Sequence, residues 1–284
     1  MGRARDKRDV YYRRAKEAGY RARSAFKLLQ VDADYHLIDP ARTPHVVDLC
    51  AAPGSWSQVL SARLDAANRS DVRIVAVDLQ DMAPLPGVIQ LKGDITRLET
   101  AQAIISNLGS QAELVVCDGA PDVTGMHDVD QYNQAQLLRS ALSIALCVMA
   151  PGAAFVAKIF RGKDVGLLYS QLKVFFPQVA VVKPKSSRNS SIESFVVCQN
   201  FTPPPGFKPI MIAPSNTSTY QPNDMDPLLV PFVASGDLCA YDSDMTYRLA
   251  RTGYVSAPTV QPPINPPHKL AAFVRDNGLD DKKE

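Results

Sequence analysis

The chain has no apolar run approaching the about 18 residues that cross a bilayer, so no membrane partner is expected. It has no Cys-x-x-Cys pair and no cysteine/histidine cluster, which leaves zinc without a ligand set, and no metal is expected. Its five cysteines, Cys50, Cys117, Cys147, Cys198 and Cys239, are odd in number, widely spaced and mostly set in apolar runs. They read as reduced, buried thiols of a cytosolic or nuclear protein, and a cytoplasmic location is expected. The N-terminus lacks the apolar stretch of a secretory signal, and Asp6, Asp9 and Glu17 interrupt its arginines as a mitochondrial presequence would not. There is no Gly-x-Gly-x-x-Gly fingerprint, so a dinucleotide pyrophosphate is not the expected ligand. Internal repeats are absent too. What the chain does have is a hydrophobic fraction of 46%, enough for a full core and incompatible with wholesale disorder.

The net charge of +2 conceals an asymmetry: residues 1–27 carry a local charge of +7, and the remainder is therefore −5. On charge alone, a solvated helical face explains this better than a polyanion-binding arm.

From 45 to 200, short apolar runs alternate with longer amphipathic stretches. Strands are expected at His45–Cys50, Val72–Val77, Val88–Leu91, Leu114–Cys117, Ala153–Phe160, Val179–Lys183 and Ser194–Cys198. Helices are expected at Ser55–Ala67, Thr96–Asn107, Val129–Met149 and Asp164–Phe175, with Pro151-Gly152 ending the third. The alternation predicts right-handed βαβ units and a parallel sheet. Only Pro184–Ile192 separates the last two strands, too short for a parallel crossover, so they should form an antiparallel edge hairpin. The expected architecture is a Rossmann-like α/β fold: a mostly parallel seven-stranded sheet with one antiparallel edge strand and helices on both faces, as in many S-adenosylmethionine methyltransferases. Two helices, about Asp6–Ala18 and Arg23–Leu29, should precede it. Thirteen of the 22 prolines follow Thr202. The domain plan is thus a basic helical extension (1–35), a catalytic domain (36–201) and a proline-rich tail (202–284) that packs on the core or docks a partner.

Val46-Val47-Asp48-Leu49-Cys50-Ala51-Ala52-Pro53-Gly54-Ser55-Trp56 reads as strand, tight turn and helix, with small residues where a ligand approaches the backbone. Asp48 can offer a carboxylate to a cationic sulfonium cofactor, Asp78 can accept ribose hydroxyls, and Asp94 can bond an adenine amine. Each alone is more often a helix cap. Four acids, Asp48, Asp78, Asp94 and Asp118, closing successive strands and converging on one sheet edge, are harder to explain that way. Trp56 is equally a core residue and a pocket wall. Lys158 sits inside the apolar strand Phe155–Phe160, where an unpaired ammonium is costly. Desolvation and other cations would favour its neutral amine, able to act as a general base.

These motifs resemble the FtsJ/RrmJ-type RNA ribose 2′-O-methyltransferases over roughly residues 1–200. The resemblance implies a tetrad of Lys27 (in Ser24-Ala25-Phe26-Lys27-Leu28), Asp118, Lys158 and Glu193 (in Ser190-Ser191-Ile192-Glu193-Ser194-Phe195). Lys158 would be the base, Lys27 and Glu193 would position the hydroxyl, and Asp118 would bridge cofactor and tetrad. S-adenosylmethionine would meet Gly54, Trp56, Asp78, Asp94 and Asp118. Ser55, where many members carry glycine, is similar to the eukaryotic tRNA-modifying branch, and Phe26 stands where many have tyrosine. Val230–Leu238 and Tyr241–Asp244 look like that branch's C-terminal signature. The branch implies tRNA as substrate, methylated in the anticodon loop at the wobble position and position thirty-two. It also implies a helper protein for each site: a WD-repeat propeller for the wobble position and a helical-repeat protein for the other. In that context Lys7, Arg8, Arg13, Arg14, Lys16, Arg21 and Arg23 become a phosphate track leading to Lys27. Tyr11, Tyr12 and Tyr20 would supply stacking faces, and the stretch around Arg188 a second wall.

Overall fold

In a computed structural model the described residues are 9–121, 127–161, 165–207, 232–235, 241, 245–248 and 253–261. Two helices, α1 (Val10–Glu17) and α2 (Ala25–Tyr35), lead into β1 (His45–Leu49), α3 (Ser55–Leu64), β2 (Arg73–Asp78), β3 (Val88–Lys92) and α4 (Leu98–Leu108). There follow β4 (Ala112–Cys117), α5 (His127–Val148), β5 (Met149–Phe160), α6 (Val165–Phe175), β6 (Gln178–Pro184), β7 (Glu193–Gln199) and β8 (Phe232–Ser235). The sheet order is β3-β2-β1-β4-β5-β7-β6-β8. The central strands are buried on both faces, as their unbroken apolar runs require of a parallel sheet. One face packs on α4, α5 and α6 through residues such as Ile104, Leu138 and Leu172; the other packs on α2 and α3 through Leu28, Val31, Trp56 and Leu60.

The seven-stranded, mostly parallel sheet is the expected one, and β6 and β7 form the expected antiparallel hairpin. The antiparallel strand, β7, lies one place inward, between β5 and β6. One expectation about a helix end needs correction. Pro151-Gly152 does not end the long helix, which stops at Val148; it lies within β5, where the register on β4 slips between Met149 and Ala154. Proline has no N–H for the ladder and Gly152 has φ +83°, so the pair is bulged out of the pairing. In the tail, Phe232–Ser235 adds an eighth strand, parallel to β6. Elsewhere, residues 241 and 254–257 of the tail lie against α1.

The strand order reverses between β1 and β4. In an open α/β sheet a ligand crevice opens there, beyond the carboxyl ends of the strands. Register sets what stands at that edge. Leu49 pairs with Cys117, so Cys50 and Asp118 follow side by side, and Cys117 pairs with Ala157, so Asp118 meets Lys158. Lys158 pairs with Phe195 on β7, which puts Glu193, two residues earlier, diagonally across on the same face.

Candidate active site

The turn after β1 is built for close approach. Cys50 adopts φ +55° and Gly54 φ +101°. A Cβ on Gly54 would lie 2.7 Å from Arg21 Nη1, so no larger residue fits without moving that arginine. A small pocket here is lined by Ser24, Asp48, Cys50, Ala51, Ala52, Ser55, Trp56 and Asp118. Asp48 is 1% exposed; its Oδ2 accepts from Ser57 Oγ at 2.6 Å, and its Oδ1 has no hydrogen-bond partner. Burial, reinforced by the nearby Asp118 and Asp78, pushes its carboxyl up to about 7 despite the Ser57 bond. Such a group ionises readily only if a cation joins it. Asp78 stands at the rim: its oxygens accept the N–H groups of Ala52 at 2.9 Å and Gln80 at 2.8 Å, which orders the turn.

Trp56 is both wall and core. It is 2% exposed, donates Nε1–H to the Ser24 carbonyl at 2.9 Å and packs on Phe195. Asp94 does not line the pocket. Its Oδ1 accepts from the Thr96 N–H and hydroxyl, both at 2.8 Å, forming the turn ahead of α4.

Beside the pocket, Lys27, Asp118, Lys158 and Glu193 form one line of alternating charge. Lys158 Nζ is 2.7 Å from Asp118 Oδ1 and 3.7 Å from Glu193 Oε2, and it donates to the Asp118 carbonyl at 2.8 Å. Lys27 Nζ is 2.6 Å from Glu193 Oε1, which also accepts from Ser187 Oγ at 3.0 Å. Each of the four side chains keeps only 9–15% of its surface exposed, a shallow opening onto solvent. The charge balance at Lys158 differs from expectation. Burial, the largest influence, does disfavour its ammonium, but the Asp118 and Glu193 carboxylates outweigh it and hold the pKa above the usual lysine value. The neighbouring cation, Lys27, is itself paired to Glu193. Glu193 is correspondingly held well below the usual carboxylate range: burial opposes its charge, and Lys27 and Lys158 win.

The basic arm is more internally engaged than a free phosphate track. Arg21 donates from Nη1 to the Pro53 carbonyl at 3.0 Å and from Nη2 to the Pro84 carbonyl at 2.9 Å, strapping the cofactor turn. Arg23 pairs with Asp9 and with the Ser186 carbonyl, and Arg188 Nη2 lies 3.3 Å from Asp9 Oδ2. Arg14 sits over the Tyr241 ring and Arg13 over that of Tyr254, while Lys16 bonds the Ala257 carbonyl at 3.3 Å. Tyr11 is 2% exposed and packs on Phe26, so it offers no open stacking face, while the partly buried Tyr20 meets Phe26 edge-on. Lys7 and Arg8 lie outside the described residues, as do Cys239 and most of the two tail stretches. Sequence reasoning also missed Gln134, a buried amide on α5 whose Nε2 bonds the carbonyls of Gly119 at 3.1 Å and Lys158 at 3.0 Å, locking the ends of β4 and β5 together. The sequence offers no signal for it, because Gln134 stands in a polar stretch with Asp130, Gln131, Asn133 and Gln136.

No group of three or more potential metal ligands occurs among the described residues, and no helix there is long and apolar enough to cross a membrane. A doubly wound sheet with a buried acid and a lysine–carboxylate line at its switch point is the frame of a methyltransferase. Residues 20–201 match the FtsJ-like methyltransferase model, and the chain belongs to that family. It is 58% identical over 288 aligned residues to the tRNA (cytidine(32)/guanosine(34)-2′-O)-methyltransferase of Mus musculus, covering 98% of this chain and 88% of that one. It is 43% identical over 194 residues to the ribosomal RNA large subunit methyltransferase E of Methanothrix thermoacetophila, covering 68% of this chain and 73% of the relative. A crystal structure from Plasmodium falciparum, described as a ribosomal RNA methyltransferase, superposes with TM-score 0.56 at 26% identity over 64% of this chain and 98% of that one.

Proposed function

We propose that this protein transfers a methyl group from S-adenosylmethionine to ribose 2′-hydroxyls of the tRNA anticodon loop, at positions 32 and 34 as in its murine relative. The observation that carries the chemistry is the Asp118–Lys158–Glu193–Lys27 line beside a pocket in which one oxygen of the buried Asp48 carboxylate has no hydrogen-bond partner. The tRNA assignment is supported by the extent of the likeness. The tRNA relative matches 98% of the chain, tail included, and the ribosomal one only 68%.

The residues present fit the cofactor. S-adenosylmethionine, when bound, supplies an electrophilic methyl group on a cationic sulfur. That charge favours ionised Asp48, and Trp56 and the Ala51–Ala52 turn give the pocket its wall and floor. Neutral Lys158 Nζ would take the proton of the 2′-hydroxyl as its oxygen bonds to the methyl carbon and the methyl–sulfur bond breaks, the sulfur leaving as the neutral thioether of S-adenosylhomocysteine. The resulting ammonium is stabilised by Asp118 and Glu193, and Lys27 orients the Glu193 carboxylate. The arm and Arg188 would contribute the RNA grip, Lys7 and Arg8 included. A WD-repeat helper at the wobble position and a helical-repeat helper at the other belong to the same reading, as does a cytoplasmic location.

Mapping ribose methylation in total tRNA with and without the protein tests it. Loss at both anticodon-loop positions is expected; intact tRNA with altered ribosomal RNA would overturn the assignment. Asp78→Ala tests the cofactor site. Removing hydrogen bonds to a charged acceptor costs about 1.5–3 kcal/mol each, so calorimetry should register S-adenosylmethionine affinity weakened roughly 10- to 100-fold in a folded protein. Unchanged affinity would take Asp78 out of the site.

A further inference from the structure

Asp9 joins two parts of the molecule that are far apart in sequence. It is the N-cap of α1, where its Oδ1 accepts the Tyr12 N–H at 3.1 Å. Its side chain is only 4% exposed, yet its Oδ2 meets two guanidiniums, those of Arg23 and Arg188. A buried carboxylate is stable only when paired, and here it is paired twice. Both arginines lead to the same place. Arg188 belongs to the loop between β6 and β7, and Arg23 donates its other nitrogen to the Ser186 carbonyl of that loop. The Ser186 N–H is also held, by Gln30 Oε1 at 2.8 Å.

The loop is tightly bonded within itself. Ser187 donates its N–H to Pro184, Ser191 its N–H to Arg188, and Lys183 Nζ reaches the Ser191 carbonyl at 2.5 Å. It ends on Glu193, whose N–H donates to Ser191 Oγ at 3.1 Å and whose Oε1 accepts from Ser187 Oγ at 3.0 Å. Ser187 lies between the two loop positions that Asp9 holds, so whatever sets the loop sets that bond.

We propose that Asp9 is a positioning residue for methyl transfer: through Arg23 and Arg188 it fixes the Ser186–Ser191 loop, and through Ser187 the Glu193 carboxylate. Arg188 and Arg23 are thereby committed to the loop as much as to any phosphate. The inference rests on the reading of Glu193 as part of the catalytic tetrad. A displacement on the order of 1 Å at such a site costs up to about 100-fold in rate.

The test is single-turnover methylation of tRNA at saturating S-adenosylmethionine and saturating RNA. Asp9→Asn keeps a good helix cap and removes the charge. It should slow the step about 10- to 100-fold while leaving both dissociation constants within about twofold, and Asp9→Glu should restore part of the loss. Arg188→Gln, whose side chain is more exposed, should slow the step at saturating RNA in the same way but more weakly, with any loss of RNA affinity read separately, and adding it to Asp9→Asn should cost the step little more, because the two act through one contact. A wild-type rate in Asp9→Asn, or an Arg188→Gln defect confined to RNA affinity, would overturn the inference. Glu193→Gln is the control: if it also keeps the wild-type rate, the tetrad reading fails, and if it alone is slow, only the role of Asp9 fails.

Discussion

Lys158→Ala should reduce single-turnover methylation by about 10² to 10⁴, the range lost with a general base, while the protein still binds S-adenosylmethionine and tRNA. The expectation follows from position. Lys158 is on the face of β5 that β7 supplies with Glu193, and its Nζ is 2.7 Å from Asp118. It does not line the pocket that Asp48, Trp56 and Asp118 share, so cofactor affinity should hold. The substitution leaves two carboxylates without the ammonium between them, so the melting temperature is measured alongside. Lys158→Arg is the companion variant: it keeps the positive charge but cannot give up its proton, and it should be as inactive as the alanine. A variant that methylates at the wild-type rate with saturating RNA would remove Lys158 from the chemistry.

The second large effect is on pH. Because Asp118 and Glu193 raise the lysine above its usual value against the opposing effect of burial, Lys158 is an ammonium at neutral pH, and the neutral base is a minor species. The sign is fixed by this: a base whose pKa lies above the working pH gains neutral fraction about tenfold per pH unit. The single-turnover rate should therefore climb with a log–log slope near one as pH rises from 6 towards 9. A plateau would report the lysine's pKa in the loaded enzyme. A flat profile over the whole interval, with chemistry shown to be rate-limiting, would sink the base assignment. The same carboxylates that keep the base protonated at rest make it a stronger proton acceptor when neutral.

The strands were legible because a parallel sheet buried on both faces demands continuous apolar runs. Lys158 was legible for the converse reason, a charge where none should be. Its electrostatics were not, because they depend on register. The pairing of Lys158 with Phe195, and hence the nearness of Glu193, is a relation between strands that share no local signal. Asp94 illustrates the limit of reading acids at strand ends: it makes the local turn that such residues make by default. The arm illustrates the limit of charge counting. Arginines near Lys27 looked free for phosphate, yet Arg21 and Arg23 have partners 63 and 163 residues away, beyond any local pattern. Proline density likewise hid a four-residue strand in the tail.

That strand changes how the sheet ends. Without β8, residues Val181–Pro184 of β6 would present unpaired N–H and C=O groups along an open rim. Unprotected rims template pairing with other chains, and proteins cover or interrupt them for that reason. Phe232–Ser235 pairs along the β6 rim here, and the new edge strand is only four residues long, the short kind of edge that offers little to pair with. The segment that the family model leaves unmatched after residue 201 thus carries the strand that pairs along the rim of β6. A fragment cut to the matched region would keep every tetrad residue and leave that rim of β6 bare.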